Sequence, residues 1–199
     1  MNKLRSLGML IALTTTTIIA DQESPKVYFL NKQPYLSPRI IKELSTLISD
    51  APNHAQVVSL DVLECQNSNR FHGPITISKG DAPKIVSTDY DNGAYFSYIF
   101  IGKTRSGNHI LLTRSSGGGT LVETEIMIVE FITDHAYKLS SNTLTRSRQR
   151  LTIKRTWGFS LGDRYLGNVF FDGNELHISK DKNSYSNLIS EDIVIKIRQ

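Results

Sequence analysis

The sequence holds a single cysteine, Cys65, in 199 residues, so no intrachain disulfide can staple the fold. In an oxidising compartment a lone thiol is either buried or paired with another chain, and one that closes an apolar run fits the buried place. Metal-ligand spacing is missing too. None of the five histidines (His54, His72, His109, His135 and His177) stands a short step from another histidine or from the cysteine, and no His-Glu-x-x-His occurs. No metal and no other cofactor is expected. A strong charge excess is also absent. The 23 basic side chains exceed the 19 acidic ones by four, and only 21 remain once Lys3 and Arg5 are set aside. A net charge this small gives no electrostatic reason to expect a nucleic acid partner.

No apolar run is long enough to span a bilayer, which needs about 20 residues. The longest uncharged stretch near the start, Leu7 to Ala20, follows the basic Lys3 and Arg5 and precedes the polar Asp21, Gln22 and Glu23. Basic start, apolar middle and a small residue at the cut are the order of a secretory signal peptide. Residues 1–20 are therefore expected to be a leader, with Ala20 its last residue. A periplasmic or secreted protein is expected, with no transmembrane segment after the leader is removed.

Two glycine-bearing stretches lack what a binding loop needs. In Ser115-Ser116-Gly117-Gly118-Gly119-Thr120 the glycines lead into Leu121, Val122, Glu123 and the β-branched run beyond, with no lysine and no helix start. A phosphate loop works by pointing the first N–H groups of a helix at the anion, and a nucleophile elbow needs a glycine two residues before its serine. Strand–glycines–strand predicts a hairpin connection instead. Thr88 to Gly93 resembles a calcium loop only at first. Counted from Asp89, the fifth position is Gly93 and the twelfth is Phe100, where oxygen ligands are required.

What is present is one helix and many strands. Ser37 is placed to cap a helix, Pro38 suits its first turn, and Ile40, Ile41, Leu44, Leu47 and Ile48 make one apolar stripe. The spacing predicts an amphipathic helix over 37–50 in an N-terminal segment, 21–55. From residue 56 to 199 the chain reads as an antiparallel β domain: short runs rich in Val, Ile, Thr, Tyr and Phe, split by turn residues. Strands are expected at Gln56–Leu63, Ile75–Ser78, Lys84–Thr88, Ala94–Gly102, His109–Ser116, Leu121–Ile132, Ala136–Ser141, Arg150–Gly158, Tyr165–Phe171, Glu175–Lys180 and Asp192–Arg198. Hairpin-length links and the lack of βαβ alternation predict a mainly β fold. The expected form is an antiparallel meander closing into a sandwich or curled sheet, with the helix on one face or plugging one end.

The unusual local feature is basic. Arg146, Arg148, Arg150 and Lys154 fall at even spacings, which in a strand puts them on one face. Leu151, Ile153, Trp157 and Phe159 would then point inward, with Arg155 among them. The row is either a solvated outer face or a docking surface for an acidic protein, an anionic glycan or a lipid head group. Tyr90 and Tyr165 lie beside turns and are candidate ligand platforms. With no catalytic constellation in view, the expected function is that of an exported, non-enzymatic binding protein. It would act by protein–protein contact, as an inhibitor or immunity protein does. A carbohydrate or cell-envelope binding module and a hydrolase whose site gathers distant residues stand as alternatives.

Overall fold

The computed structural model describes residues 35–45, 57–78, 83–183 and 188–198. Helix α1 (Pro38–Glu43) and strand β1 (Ser59–Asp61) come first, then helix α2 (Val62–Asn67) and a 3-10 turn at Asn69–Phe71. Strands β2 (Thr76–Ile77), β3 (Ile85–Asp89), β4 (Tyr95–Lys103), β5 (His109–Ser116), β6 (Glu123–Ser140) and β7 (Thr143–Asp163) follow. The chain ends with β8 (Val169–Asp172), β9 (Glu175–Ile178) and β10 (Ile193–Lys196). A seven-stranded sheet runs β1-β7-β6-β5-β4-β3-β2, a three-stranded sheet runs β10-β9-β8, and every pairing is antiparallel. The mainly β antiparallel meander expected from the sequence is the fold observed.

Strand alternation divides the apolar residues between two cores. Leu111, Met127 and Val129 join one cluster with Ile40, Ile41, Leu44, Val62 and Phe71 of the helical segments. Their neighbours Ile110, Leu112, Ile126 and Ile128 join another with Leu176 and Ile178 of β9. The large sheet thus carries the helices on one face and the small sheet on the other. Strand β4 serves both, with Phe96 and Tyr98 in the first cluster and Ile99 and Ile101 against the second. The C-terminal strand alternates as expected, with Ile193 and Ile195 turned in and Val194 and Lys196 turned out.

The helix is shorter than expected within the described residues. It spans Pro38–Glu43, and Leu47 and Ile48 lie outside what is described. Ser37 does not cap it through its side chain: the hydroxyl donates to the Phe71 carbonyl at 3.1 Å. A six-residue helix has no stability of its own. It forms because Ile40, Ile41 and Leu44 are fully buried, each worth about 1.5–3 kcal/mol of apolar transfer. Tyr98 on β4 adds a tie by donating to the Leu36 carbonyl at 2.8 Å.

The expected strand at Gln56–Leu63 is cut short. Asp61 accepts from the backbone N–H groups of Leu63 and Glu64 and starts α2, so the chain turns helical at Val62. Cys65 on α2 is buried, as expected, and burial pushes its thiol up to about 11, with Asp61 and Glu43 adding to the effect. The strands expected at Leu121–Ile132 and Ala136–Ser141 are one strand, β6. That expected at Arg150–Gly158 extends at both ends into β7. Ser141 and Asn142 join them with φ of 47° and 64°, the left-handed pair of a two-residue hairpin turn. The serine-glycine stretch connects β5 to β6 as expected. Gly118 there has φ of 92°, and a Cβ on it would fall 2.6 Å from the Asn92 carbonyl, so glycine is needed on both counts.

A bulge redirects β7. Trp157 faces Ile128 while Arg155 faces Val129, which leaves Thr156 as an extra residue. Side-chain parity flips there. Leu151 and Ile153 enter the helix-side core, whereas Phe159 packs on the other. The single inward face expected for Leu151, Ile153, Trp157 and Phe159 is therefore split.

Arg155 stays on the helix side and forms an ion pair with Glu125, the two side chains being 8% and 1% exposed. Arg155 Nη1 also donates to the Leu44 carbonyl at 2.8 Å, and Ser45 Oγ donates to Glu125 Oε2 at 3.1 Å. The guanidinium lies across Gly158, where any Cβ would overlap it. Arg155→Met leaves a buried carboxylate without its cation and is expected to cost about 3–5 kcal/mol in urea unfolding. Adding Glu125→Gln to that variant should return part of the loss. Gly158→Ala is expected to cost about 1–3 kcal/mol by overpacking.

Candidate functional site

Beyond Asp134 and Arg150 the β6–β7 hairpin has no sheet neighbour on either edge among the described residues. It projects about 20 Å at the usual rise per strand residue. This ribbon contains most of the basic row, and the structure distributes those cations unevenly. Arg150 faces Asp134 across the ladder and holds it with two hydrogen bonds, Nε to Oδ1 at 2.5 Å and Nη2 to Oδ2 at 2.7 Å. The hydrogen bond from Arg150 keeps the Asp134 carboxyl below its ordinary value. Arg148 reaches back to α2 and its cap, donating to Asp61 at 2.9 Å and to Glu64 at 2.6 Å. Lys154 is exposed and stands opposite Glu130 in the register. Arg148 and Arg150 are thus paired with carboxylates of the same chain, and Lys154 faces Glu130 in the register alone.

Arg146 is the exception. Between His135 and Tyr137 the partners step from Gln149 to Arg146, so β7 carries an extra residue there. That slip moves Arg146 off the face of Arg150 and Lys154 and onto the face of Tyr137. Its Nη2 donates to His135 Nδ1 at 2.6 Å. Directly opposed residues share a face, so Tyr137, Leu139, Leu144 and Arg146 form one patch on the ribbon tip. The three apolar members are 64%, 69% and 64% exposed. Between His135 and Arg150 the sequence has Lys138, Arg146, Arg148 and Arg150 and no acidic residue. The tip is therefore apolar and positive together. The evenly spaced arginines were visible in the sequence. Tyr137, Leu139 and Leu144 were not, because their exposure follows from the ribbon's reach past the sheet.

The two tyrosines separate. Tyr165 is not a surface platform: it is 1% exposed, and its hydroxyl donates to the Ser179 carbonyl at 2.5 Å. It packs in the core under the small sheet because Leu161, Leu176 and Ile178 surround that position. Tyr90 is half-buried, with the Arg39 guanidinium 4.7 Å and the Lys42 ammonium 4.2 Å from its ring centre.

The histidines with described contacts serve different neighbourhoods. His135 holds Arg146, and His177 stacks on Phe170 with Nε2 3.7 Å from Glu175. His109 sits between the rings of Phe100 and Phe131. His54 lies outside the described residues. Among the described residues no group of three His, Cys, Asp or Glu side chains could hold a metal ion. No helix there is long and apolar enough to cross a membrane.

Burial, and then repulsion from Lys103, pushes His109 down from 6.5 to about 4, and its Nδ1 is shut from solvent without a hydrogen-bond partner among the described residues. The folded state therefore disfavours the imidazolium. Above 6.5 both folded and unfolded chains hold a neutral ring; below it the unfolded chain takes up the proton first. Stability contributed by His109 is thus full above 6.5 and falls as pH drops toward about 4. Melting temperatures across that window should decline in the native chain and decline less in His109→Gln.

No protein family, curated protein or solved structure matches this chain.

Proposed function

We propose that the chain is an exported, non-enzymatic binding protein that grips an acidic protein partner through the tip of the β6–β7 ribbon. The observation that carries this reading is the patch of Tyr137, Leu139, Leu144 and Arg146, with Lys138 on the ribbon's other face, on a projection with no carboxylate between His135 and Arg150. Exposed leucines on a two-stranded arm are unfavourable in water unless something covers them. Aromatic and arginine side chains are the residue types that carry most of the energy at protein interfaces. Arg148 and Arg150 belong to the same reading in another role. Paired with Asp61, Glu64 and Asp134, they brace the arm against the body. Export rests on the order of Lys3, Arg5, the uncharged Leu7–Ala20 and Asp21. A partner outside the cytoplasm and a surface built for contact together favour action by blocking, as in an inhibitor or immunity protein.

The test places a photo-crosslinking residue at Leu139 and, as a control, at Lys180 in the otherwise native chain, expressed in its own cell. A single adduct with an acidic protein from position 139 is expected, absent from position 180. It should be lost with Lys138→Glu plus Arg146→Glu while the circular dichroism stays native. Equal adducts from both positions, or an adduct indifferent to charge reversal, would overturn the reading. Export has its own check: the intact mass of the recovered protein should begin at Asp21.

A further inference from the structure

On the helix-side core, away from the ribbon, α1 and the β3–β4 turn bound a cleft of about 470 Å³. Arg39, Lys42 and Tyr90 line it together with Asp89, Asp91 and Asn92. Its volume lies within the range of small-molecule sites, about 300–1,000 Å³.

Among the described residues the cleft holds charges without an ion pair. Arg39 and Lys42 stand one helical turn apart, so they share a face, and both approach the ring of Tyr90. Arg39 Nε is shut from solvent and has no hydrogen-bond partner among the described residues. Burial lowers the Lys42 ammonium below its ordinary value; Glu43 opposes this and Arg39 adds to it. Two cations thus crowd one aromatic ring, and among the described residues neither side chain has a hydrogen bond or an ion pair. The turn supplies the opposite sign. Asp89 and Asp91 are exposed, and among the described residues their carboxylates also lack an ion pair. Asn92 is committed to the turn, its Oδ1 accepting from the Ala94 N–H at 3.1 Å. Among the described residues, cations and carboxylates line one cleft without pairing.

Such a lining fits a ligand that carries both signs. A simple polyanion would meet repulsion from the aspartates, and a simple cation would meet it from Arg39 and Lys42. A sugar stacked on Tyr90 would have to displace the cations from the ring. We infer that the cleft binds a small zwitterion, an amino acid or a short peptide, with its carboxylate on Arg39 and Lys42 and its ammonium on Asp89 and Asp91. The bidentate fork of Arg39 suits a carboxylate.

The full chain should be titrated calorimetrically with dialanine, and separately with acetate, inorganic phosphate and ethylammonium. Saturable one-to-one binding of dialanine is expected, at least tenfold tighter than any of the other three. Arg39→Gln and Asp91→Asn should each weaken it at least tenfold with an unchanged circular dichroism spectrum. Asp91 lies in an exposed turn, so its variant reports even if Arg39→Gln impairs folding. Gly73→Ala offers a charge-neutral check, because its Cβ would fall 2.7 Å from Arg39 Nε and displace the guanidinium. No saturation by about 10 mM dialanine, phosphate bound as tightly as dialanine, or binding indifferent to both charge variants would overturn the inference.

Discussion

One ion pair withdrawn from water, Arg155 with Glu125, fixes how the helical segment meets the large sheet. Burying two charges is costly unless each remaining donor and acceptor is used. Here the guanidinium also holds the last carbonyl of the α1 turn, and Ser45 holds the carboxylate. Strand β6, strand β7 and the end of α1 converge on one constraint, which a six-residue helix could not supply by itself. Gly158 follows from it, because the guanidinium lies where a side chain would be. So does the value of the Thr156 bulge. It lets β7 present Arg155 and Ile153 to the helices and Phe159 to the small sheet within a few residues.

The parts of this fold that depend on alternation were legible in the sequence. His109–Ser116 is strand β5 to the residue, and the Ile193 and Ile195 pattern gives the buried side of β10. Local capping was partly legible: Asp61 followed three residues later by Glu64 is the signature that opens α2, hidden by the apolar run before it. Ser37 shows the opposite case, since its hydroxyl serves Phe71, a partner set by tertiary packing. Bulges escape a reading based on strict period two, because no residue type announces them. The same slip of register carried Arg146 away from Arg150, so even spacing alone misplaced one cation. The partners of Arg148, at Asp61 and Glu64, lie more than eighty residues away and only the fold brings them together.

Charge is used in three distinct ways across the molecule. At Arg155 it is buried and paired. Along the base of the ribbon it is exposed and matched, Arg150 to Asp134 and Arg148 to α2. At the ribbon tip and in the α1 cleft it is left without an ion pair among the described residues, beside apolar or aromatic surface in each case. Internal pairing lowers the free energy of the folded chain by itself, whereas unmatched charge gains only when something else arrives. The two unmatched regions are therefore where recognition is to be sought, and they are separate surfaces with different chemistries.

The continuity of β6 and β7 gives the ribbon a mechanical character. From Val129 to the turn at Ser141 and Asn142, a span of roughly 35 Å at the usual rise per residue, the two strands form one hydrogen-bonded beam. A load on the tip is carried in shear along that ladder rather than peeling it one bond at a time. The register slips near Thr156 and His135 are the points where the beam can flex, and the Arg148 link to α2 acts as a stay at the second of them. Bending of the tip would therefore be felt first at α2 and then at the strand that anchors α1, so the arm and the helical face behave as one lever.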